Sequence, residues 1–294
     1  MKARSVTTVV IPVAGLGTRF LPETKVIPKE MLPIIDTPII HHIVEEAVEA
    51  GMTDVVFITS RPKVLIEDYF DPHDLISFKL KEVQKYELIQ KTLKLTQKIR
   101  ITSIRQYEPL GLGHAILQAA PFIGTDNFAV LLGDEVDIAT KKNGLKDCVT
   151  KFKEINAGSV IGVQEVPHEE VSKYGVVEFN DQFSISRFIE KPQPSETTSS
   201  WIIPGRYVFE NQILNELSST QPGRGGEIQL TDAMLSLLDT RPFFAQEISG
   251  ERYDTGSKLG FILANLAQAL KDPKLKKPIL EFLENHLKSA AQRS

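Results

Sequence analysis

An α/β fold, built on a mostly parallel sheet covered by helices, is what three observations in the sequence predict. Residues 6–13 (V-T-T-V-V-I-P-V) form an apolar, β-branched run that ends at a glycine turn, the pattern of a buried strand. From residue 39 onward, Ile39, Ile40, Ile43, Val44, Ala47 and Val48 recur at helical spacing, with Gly51 as the stop. Residues 55–59 (V-V-F-I-T) then read as a second strand, and strand, helix, strand at this spacing implies a right-handed parallel crossover.

The alternation continues along the chain. Residues 99–105, 128–132, 159–166 and 176–179 carry strand patterns, and 185–189 is placed to pair with the last of these. Residues 114–120, 145–155, 211–217, 227–238 and 258–270 carry helical ones. Between the first strand and the first helix, Pro22, Pro28 and Pro33 prevent a regular helix. Residues 74–98 are charged and helical in composition, which predicts a pair of helices projecting from the sheet. Residues 193–200 (Q-P-S-E-T-T-S-S) read as a polar loop. The tail, 276–294, has a helical pattern through Ile279, Leu280, Leu283 and Leu287 that suits either a partner subunit or the chain's own core. Without an internal repeat or linker, residues 1–270 are expected to form one domain with a helical insertion at about 74–98, followed by a helical appendage over 271–294.

Composition narrows the function classes. Apolar residues at 41% and charged residues at 24% describe an ordinary globular chain that can bury a core without metal or disulfide staples. The one cysteine, Cys148, excludes an internal disulfide and fits a reducing compartment; with neither leader pattern nor spanning segment in view, the cytoplasm is the expected location. A net charge of −4 argues against a nucleic-acid partner, and the lysines between 271 and 277 read as a solvated face. Anions, if bound, must be held by a few placed cations.

Such cations follow the first strand. Ala14-Gly15-Leu16-Gly17-Thr18-Arg19 is a glycine turn whose backbone N–H groups can approach a phosphate. It lacks the third glycine of a dinucleotide fingerprint and the Gly-Lys-Ser/Thr of a Walker loop. Arg19, Lys25 and Lys29 instead follow on a proline-stiffened segment, a pattern that suits a triphosphate cradle or, more plainly, solvated cations on a loop.

Three later stations carry chemistry. Gln106 heads Q-Y-E-P-L-G-L-G-H-A, and its amide can match the donor and acceptor of a uracil edge, although a strand-end Gln before a glycine turn needs no such role. His114 in this string reads as a packing residue at a helix start. Asp134 ends a buried strand, where open α/β sheets place ligands and where hard oxygen donors suit Mg²⁺. Asp254, in Y-D-T-G-S-K-L-G, is either a second metal carboxylate or a helix cap. Further on, Gly175, Glu190, Lys191 and Glu227 lie in short strings; a carboxylate accepts from sugar hydroxyls and an ammonium neutralises phosphate, while Glu227 is equally explained as a helix-start carboxylate. Glu190 and Lys191, adjacent on a strand, would face opposite ways were it not for the strand end at Pro192.

The long string G-L-G-T-R-F-L-P-E-T-K-V-I-P-K-E-M-L-P, from Gly15 to Pro33, resembles the signature of the bacterial UTP–glucose-1-phosphate uridylyltransferases, among the nucleotidyltransferases that load sugar 1-phosphates. The order and spacing of the other stations match that family over nearly the whole chain. The resemblance implies a Rossmann-like mixed sheet, Mg²⁺ as cofactor, UTP and glucose 1-phosphate as substrates, and a homodimer or homotetramer. It assigns Ala14, Gly15, Gly17 and Thr18 to the nucleotide phosphates, Arg19 and Lys29 to the β- and γ-phosphates, and Lys25 to the same pocket. Gln106 and Gly111 would read uracil, Asp134 and Asp254 would hold the metal, Gly175, Glu190 and Glu227 would contact the sugar, and Lys191 its phosphate. Thr37 and the S-R-P-K turn at 60–63 depart from the family pattern. Three rival readings stay in view: an enzyme using dTTP or another hexose, a non-catalytic paralogue that binds nucleotide sugars, and a nicotinamide-dependent oxidoreductase, which the missing third glycine disfavours.

Overall fold

β1 (Thr8–Pro12) sends Val9 and Ile11 to one face of a sheet and Val10 to the other, each fully buried, so this strand has a hydrophobic core on both sides. The structure is a computed structural model that describes residues 4–72, 74–83, 85, 87–138, 143–180, 183–248 and 250–291. In it β1 is paired in parallel with β2 (Asp54–Thr59) on one side and β4 (Phe128–Leu131) on the other, and β3 (Arg100–Arg105) lies parallel beyond β2. The order β3-β2-β1-β4 reverses direction at β1, the kind of switch point where open α/β sheets take their ligands.

Past β4 the sheet becomes largely antiparallel. β5 (Ser159–Glu165), β6 (Gly175–Phe179), β7 (Ile185–Glu190), β8 (Trp201–Ile202) and β9 (Arg206–Phe209) complete the order β7-β6-β8-β5-β9-β4-β1-β2-β3, and β10 (Phe243–Glu247) runs parallel beside β5. The sheet is therefore mixed, with its parallel set on the β1 side. Every strand expected from the sequence is present; β8, β9 and β10 are additions. Their short aromatic and β-branched runs (W-I, R-Y-V-F, F-F-A-Q-E) gave no alternation long enough to identify.

Helices cover both faces. α1 (Ile39–Glu49) and α7 (Gly144–Glu154) bury their apolar stripes against the face of Val9 and Ile11. The insertion gives α3 (Asp74–Glu82) and α4 (Glu87–Thr96), following α2 (Val64–Phe70); residues 84 and 86 within it lie outside the described residues. α4 does not project freely. Thr92 Oγ1 donates to the Tyr69 hydroxyl at 3.2 Å, and Tyr69 meets His41 Nδ1 at 3.0 Å, so α4 is tied through α2 to α1. On the other face lie α5 (Leu112–Leu117), α6 (Ala120–Ile123), α8 (Ile213–Ser219) and α9 (Leu230–Leu238). α10 (Lys258–Ala269) and α11 (Pro273–Ala291) end the described chain, and the terminal calls at 1–3 and 292–294 lie outside the described residues.

The strand register aligns one edge of the sheet. Ile104 and Ile58 pair, as do Ile58 and Pro12, at the ends of β3, β2 and β1. Leu132 N donates to Gly205 O at 3.1 Å just beyond β4, and Ile203 N donates to Gly175 O at 2.8 Å. Glu190 then pairs with Gly175. The glycine loop after β1, the Gly133-Asp134 turn after β4 and the Gly175 and Glu190 ends of β6 and β7 thus share a single rim.

Candidate active site

At this rim the loops after β1 and β4 enclose a cleft of about 460 Å³. Ala14, Gly15, Gly17, Thr18, Lys29, Gln106, Gly111, Asp134 and Glu227 are among its lining residues. Gly17 has φ 65°, the left-handed conformation that glycine adopts without penalty, and it starts the short turn Thr18–Phe20. Two further short turns, Glu23–Lys25 and Lys29–Met31, replace a regular helix across the proline-rich segment. Lys25 is not among the cleft's lining residues. It lines an adjoining pocket of about 290 Å³ that shares Gly15, Leu16 and Thr18. Arg19 is exposed, and its Nη1 donates to Gly256 O at 3.4 Å, over the turn that follows Asp254.

Lys29 and Asp134, expected to serve phosphates and metal separately, are partners: Lys29 Nζ donates to Asp134 Oδ2 at 2.5 Å. Burial opposes both charges, but their mutual attraction outweighs it. The Asp134 carboxyl is accordingly held below its ordinary value, with Arg19 contributing, and the Lys29 ammonium above its own. Beneath them Glu30 is almost wholly buried and receives Lys63 Nζ at 2.7 Å, while its Oε1 has no partner among the described residues. Burial pushes Glu30 up, against the pull of Lys63 and Lys29.

Asp254 reaches the same place by an antiparallel ribbon, Glu135–Asp137 against Arg252–Asp254, in which Asp254 sits opposite Glu135. Thr255 then locks the turn, its N–H and its hydroxyl both donating to Asp134 O at 2.8 and 2.7 Å. A Cβ on Gly256 would lie 2.7 Å from Asp134 Oδ2 and 3.0 Å from Asp254 Oδ1, so the two carboxylates converge on one point that only glycine leaves open. Two carboxylates with access for substrate oxygens fit a hard divalent cation, which rarely takes more protein ligands than that. Asp254 also accepts from Gly256 N at 3.0 Å, but the N-cap of α10 is Ser257, whose side chain accepts from Gly260 N.

Gln106 is buried, and its Nε2 lies 3.3 Å from Gly111 O and 2.9 Å from His114 Nδ1. His114 is thus a partner that orients the Gln106 amide. Gly111 has φ 100°, and a Cβ there would come within 2.7 Å of Glu227 Cβ. The glycines of this string therefore answer to the loop at 227–228, whose Ile228 N donates to Leu110 O at 2.8 Å and whose Ile228 O accepts from Gly113 N at 2.9 Å. Glu227 itself is extended (φ −100°, ψ 148°), and α9 begins only at Leu230, so the helix-start reading of this carboxylate does not hold.

Gly175, Glu190 and Lys191 form a second cluster farther along the rim. Lys191 has φ 45°, a left-handed conformation costly for a side chain. That turn breaks strand alternation immediately after β7 and leaves Lys191 Nζ 3.4 Å from Glu190 Oε1. Glu190 Oε2 accepts from Thr231 Oγ1 at 3.0 Å. The sequence reading missed Thr231, the Glu30–Lys63 pair and Arg252. Glu30 and Lys63 sit inside strings already quoted, but contacts between distant segments carry no signal in linear spacing.

Comparison with known proteins assigns the chain a family. The family model described as "Nucleotidyl transferase" matches residues 8–269. A UTP–glucose-1-phosphate uridylyltransferase of Bacillus subtilis (strain 168) is 44% identical over 288 residues, covering 97% of this chain and 98% of that protein. The structure of a UTP-bound UGPase from Acinetobacter baumannii aligns with TM-score 0.86 and 36% identity, covering 95% of this chain and 99% of that one. A UDP-glucose pyrophosphorylase complexed with UDP-glucose aligns with TM-score 0.83 and 36% identity, over 91% of this chain and 100% of that one.

Proposed function

Because the chain belongs to the nucleotidyl transferase family, we infer that it transfers a uridylyl group from UTP to glucose 1-phosphate, yielding UDP-glucose and pyrophosphate. The observation that carries this reading is the shared rim: a glycine loop with Lys29, a converging carboxylate pair, and the Glu190–Lys191 cluster lie in register along one edge of one sheet.

In this reading the uracil rests against Gln106 and Gly111, and the phosphates lie along Ala14, Gly15, Gly17 and Thr18. Gly175, Glu190 and Glu227 accept or border the glucose hydroxyls, and Lys191 holds its phosphate. An oxygen of that phosphate attacks the α-phosphorus of UTP. The new P–O bond forms as the α–β bridging P–O bond breaks, and both electrons of that bond leave with pyrophosphate. The nucleophile is already an anion, so the chain's contribution is positioning and neutralisation rather than proton transfer. Arg19 and Lys29 steady the leaving group from the loop, and Lys25 adds positive charge from the adjoining pocket. Asp134 and Asp254 would hold Mg²⁺, which supplies charge neutralisation at the phosphates when bound.

We place the enzyme in the cytoplasm, a reading supported by the single cysteine, which leaves no internal disulfide and fits a reducing compartment; no described helix is long and apolar enough to cross a membrane. Exposed Leu259, Ile262 and Leu263 on α10, with Phe282 and Leu287 on α11, support a homodimer or homotetramer. The decisive experiment measures pyrophosphate release with glucose 1-phosphate and Mg²⁺, comparing UTP with dTTP and adding EDTA. Release that prefers UTP and stops with EDTA is expected. Equal use of dTTP would overturn the nucleotide assignment, and no release at all would reduce the site to a binding one.

A further inference from the structure

Arg252 belongs to neither cluster of the rim, yet it touches a chain neighbour of each, Glu135 beside Asp134 and Tyr174 beside Gly175. It lies two residues before Asp254 on the ribbon, with its side chain 12% exposed. Its Nη1 donates to Glu135 Oε2 at 2.7 Å, and Glu135 is both the neighbour of Asp134 and the residue paired with Asp254. Its Nε donates to Gln164 Oε1 at 3.0 Å, on β5, where Gln164 pairs with Ile202 of β8. Its guanidinium carbon stands 4.9 Å from the centre of the Tyr174 ring. Tyr174 precedes Gly175, and its carbonyl accepts from Lys191 N at 3.0 Å. One side chain therefore spans from the carboxylate ribbon to the backbone that sets Gly175 and Lys191. Only a planar guanidinium offers two directed donors and a face for an aromatic ring at once; an ammonium replaces one of these contacts at a time.

We propose that Arg252 is a positioning residue that holds the Asp134–Asp254 carboxylate pair in register with the Gly175–Lys191 segment, coupling the nucleotide side of the site to the sugar-phosphate side. The inference rests on the site reading proposed above. Arg252 touches neither the glycine loop nor Gln106 in any contact of the described structure, so the binding of UTP through those groups is independent of it, whereas a ligand that bridges both sides is not.

The test is calorimetric titration of UTP and of UDP-glucose in EDTA, so that no metal at Asp134 and Asp254 enters either affinity, with kcat and the KM for glucose 1-phosphate measured with Mg²⁺, on wild type, Arg252→Lys and Tyr174→Leu. Partners that orient a site without touching substrate typically matter about 10- to 100-fold. Arg252→Lys should weaken UDP-glucose by about tenfold or more and lower kcat comparably, with UTP affinity and the melting temperature close to wild type. Tyr174→Leu, which removes only the sugar-side contact, should weaken UDP-glucose in the same direction; it decides the matter if Arg252→Lys fails to fold. Lys191→Ala serves as the control for the underlying reading. If Lys191→Ala weakens UDP-glucose while the Arg252 and Tyr174 variants leave it unchanged, or if they weaken both ligands equally, Arg252 is a structural staple and the inference is overturned. If Lys191→Ala has no effect, the sugar-phosphate assignment falls, and the coupling inferred here falls with it.

Discussion

Gly256 shows what a single missing methyl group can do. Its backbone could accept a side chain, but the space belongs to the Asp134 and Asp254 carboxylates. Gly256→Ala should force them apart and lower turnover by about tenfold or more, while the melting temperature moves by only a few degrees. Activity and thermal unfolding of the variant, measured together, check this; an unimpaired enzyme would mean that the carboxylates need not converge. Lys191 makes the converse point. Its left-handed backbone carries a conformational cost, and in return two adjacent residues of a strand end share one side of it. The sequence reading identified both residues and attributed their meeting to Pro192, whereas the turn is made at Lys191 itself. The partnership of Lys29 with Asp134 was not legible at all, because 105 residues separate them in the chain.

α1 is the element whose polar residues behave least like a surface helix. His41 and His42 lie on it, both pushed down to about 4, by burial first and by the nearby charge of Lys91 second; Asp36 partly opposes this for His42, and Lys271 reinforces it. Their Nε2 atoms are buried without partners among the described residues. The fold thus favours the neutral rings. That contribution is fully present above the ordinary histidine value near 6.5 and is lost progressively as the pH falls towards 4. The melting temperature should drop between pH 6.5 and 4, and a His41→Gln, His42→Gln variant should show a flatter profile. Identical slopes for the two proteins would show that other groups dominate acid unfolding. Periodicity located α1 correctly because its apolar stripe faces the core. It could not tell that His41 meets Tyr69 of α2, or that His42 lines a cavity with Lys91 of α4 and Gln268 of α10, since those helices arrive from later in the chain.

Across the whole molecule, the Glu46–Arg206 pair joins layers. Arg206 Nε and Nη2 donate to Glu46 Oε1 and Oε2 at 3.1 and 2.7 Å, and Glu46 Oε1 also accepts from Leu145 N at 3.0 Å. One carboxylate therefore links α1, α7 and the start of β9, with Arg206 2% exposed. Arg206→Met leaves that carboxylate buried and without its cation, and should destabilise the fold by about 3–5 kcal/mol, read from denaturant midpoints. A shift below about 1 kcal/mol would place the pair among the neutral ones. At the other extreme, α11 from residue 273 is largely exposed and adds little to the core. Truncation after Asp272 should preserve the melting temperature of the domain and shift the light-scattering mass towards a monomer. An unchanged oligomer would assign the interface elsewhere.

By itself the sequence determined the parallel half of the sheet and the helices on its faces, which follow from local information: apolar period and turn chemistry. The candidate rim residues came from the glycine-loop motif and from the family resemblance of strings scattered along the chain. Only the tertiary structure decided which of those residues meet. It paired Lys29 with Asp134, moved Lys25 into an adjoining pocket, placed Glu227 ahead of the helix rather than at its start, and set Arg252 between two clusters. The physical reason is the same each time. Strand register and loop packing bring residues tens to hundreds of positions apart within hydrogen-bond distance, and neither is encoded in the spacing of any one segment.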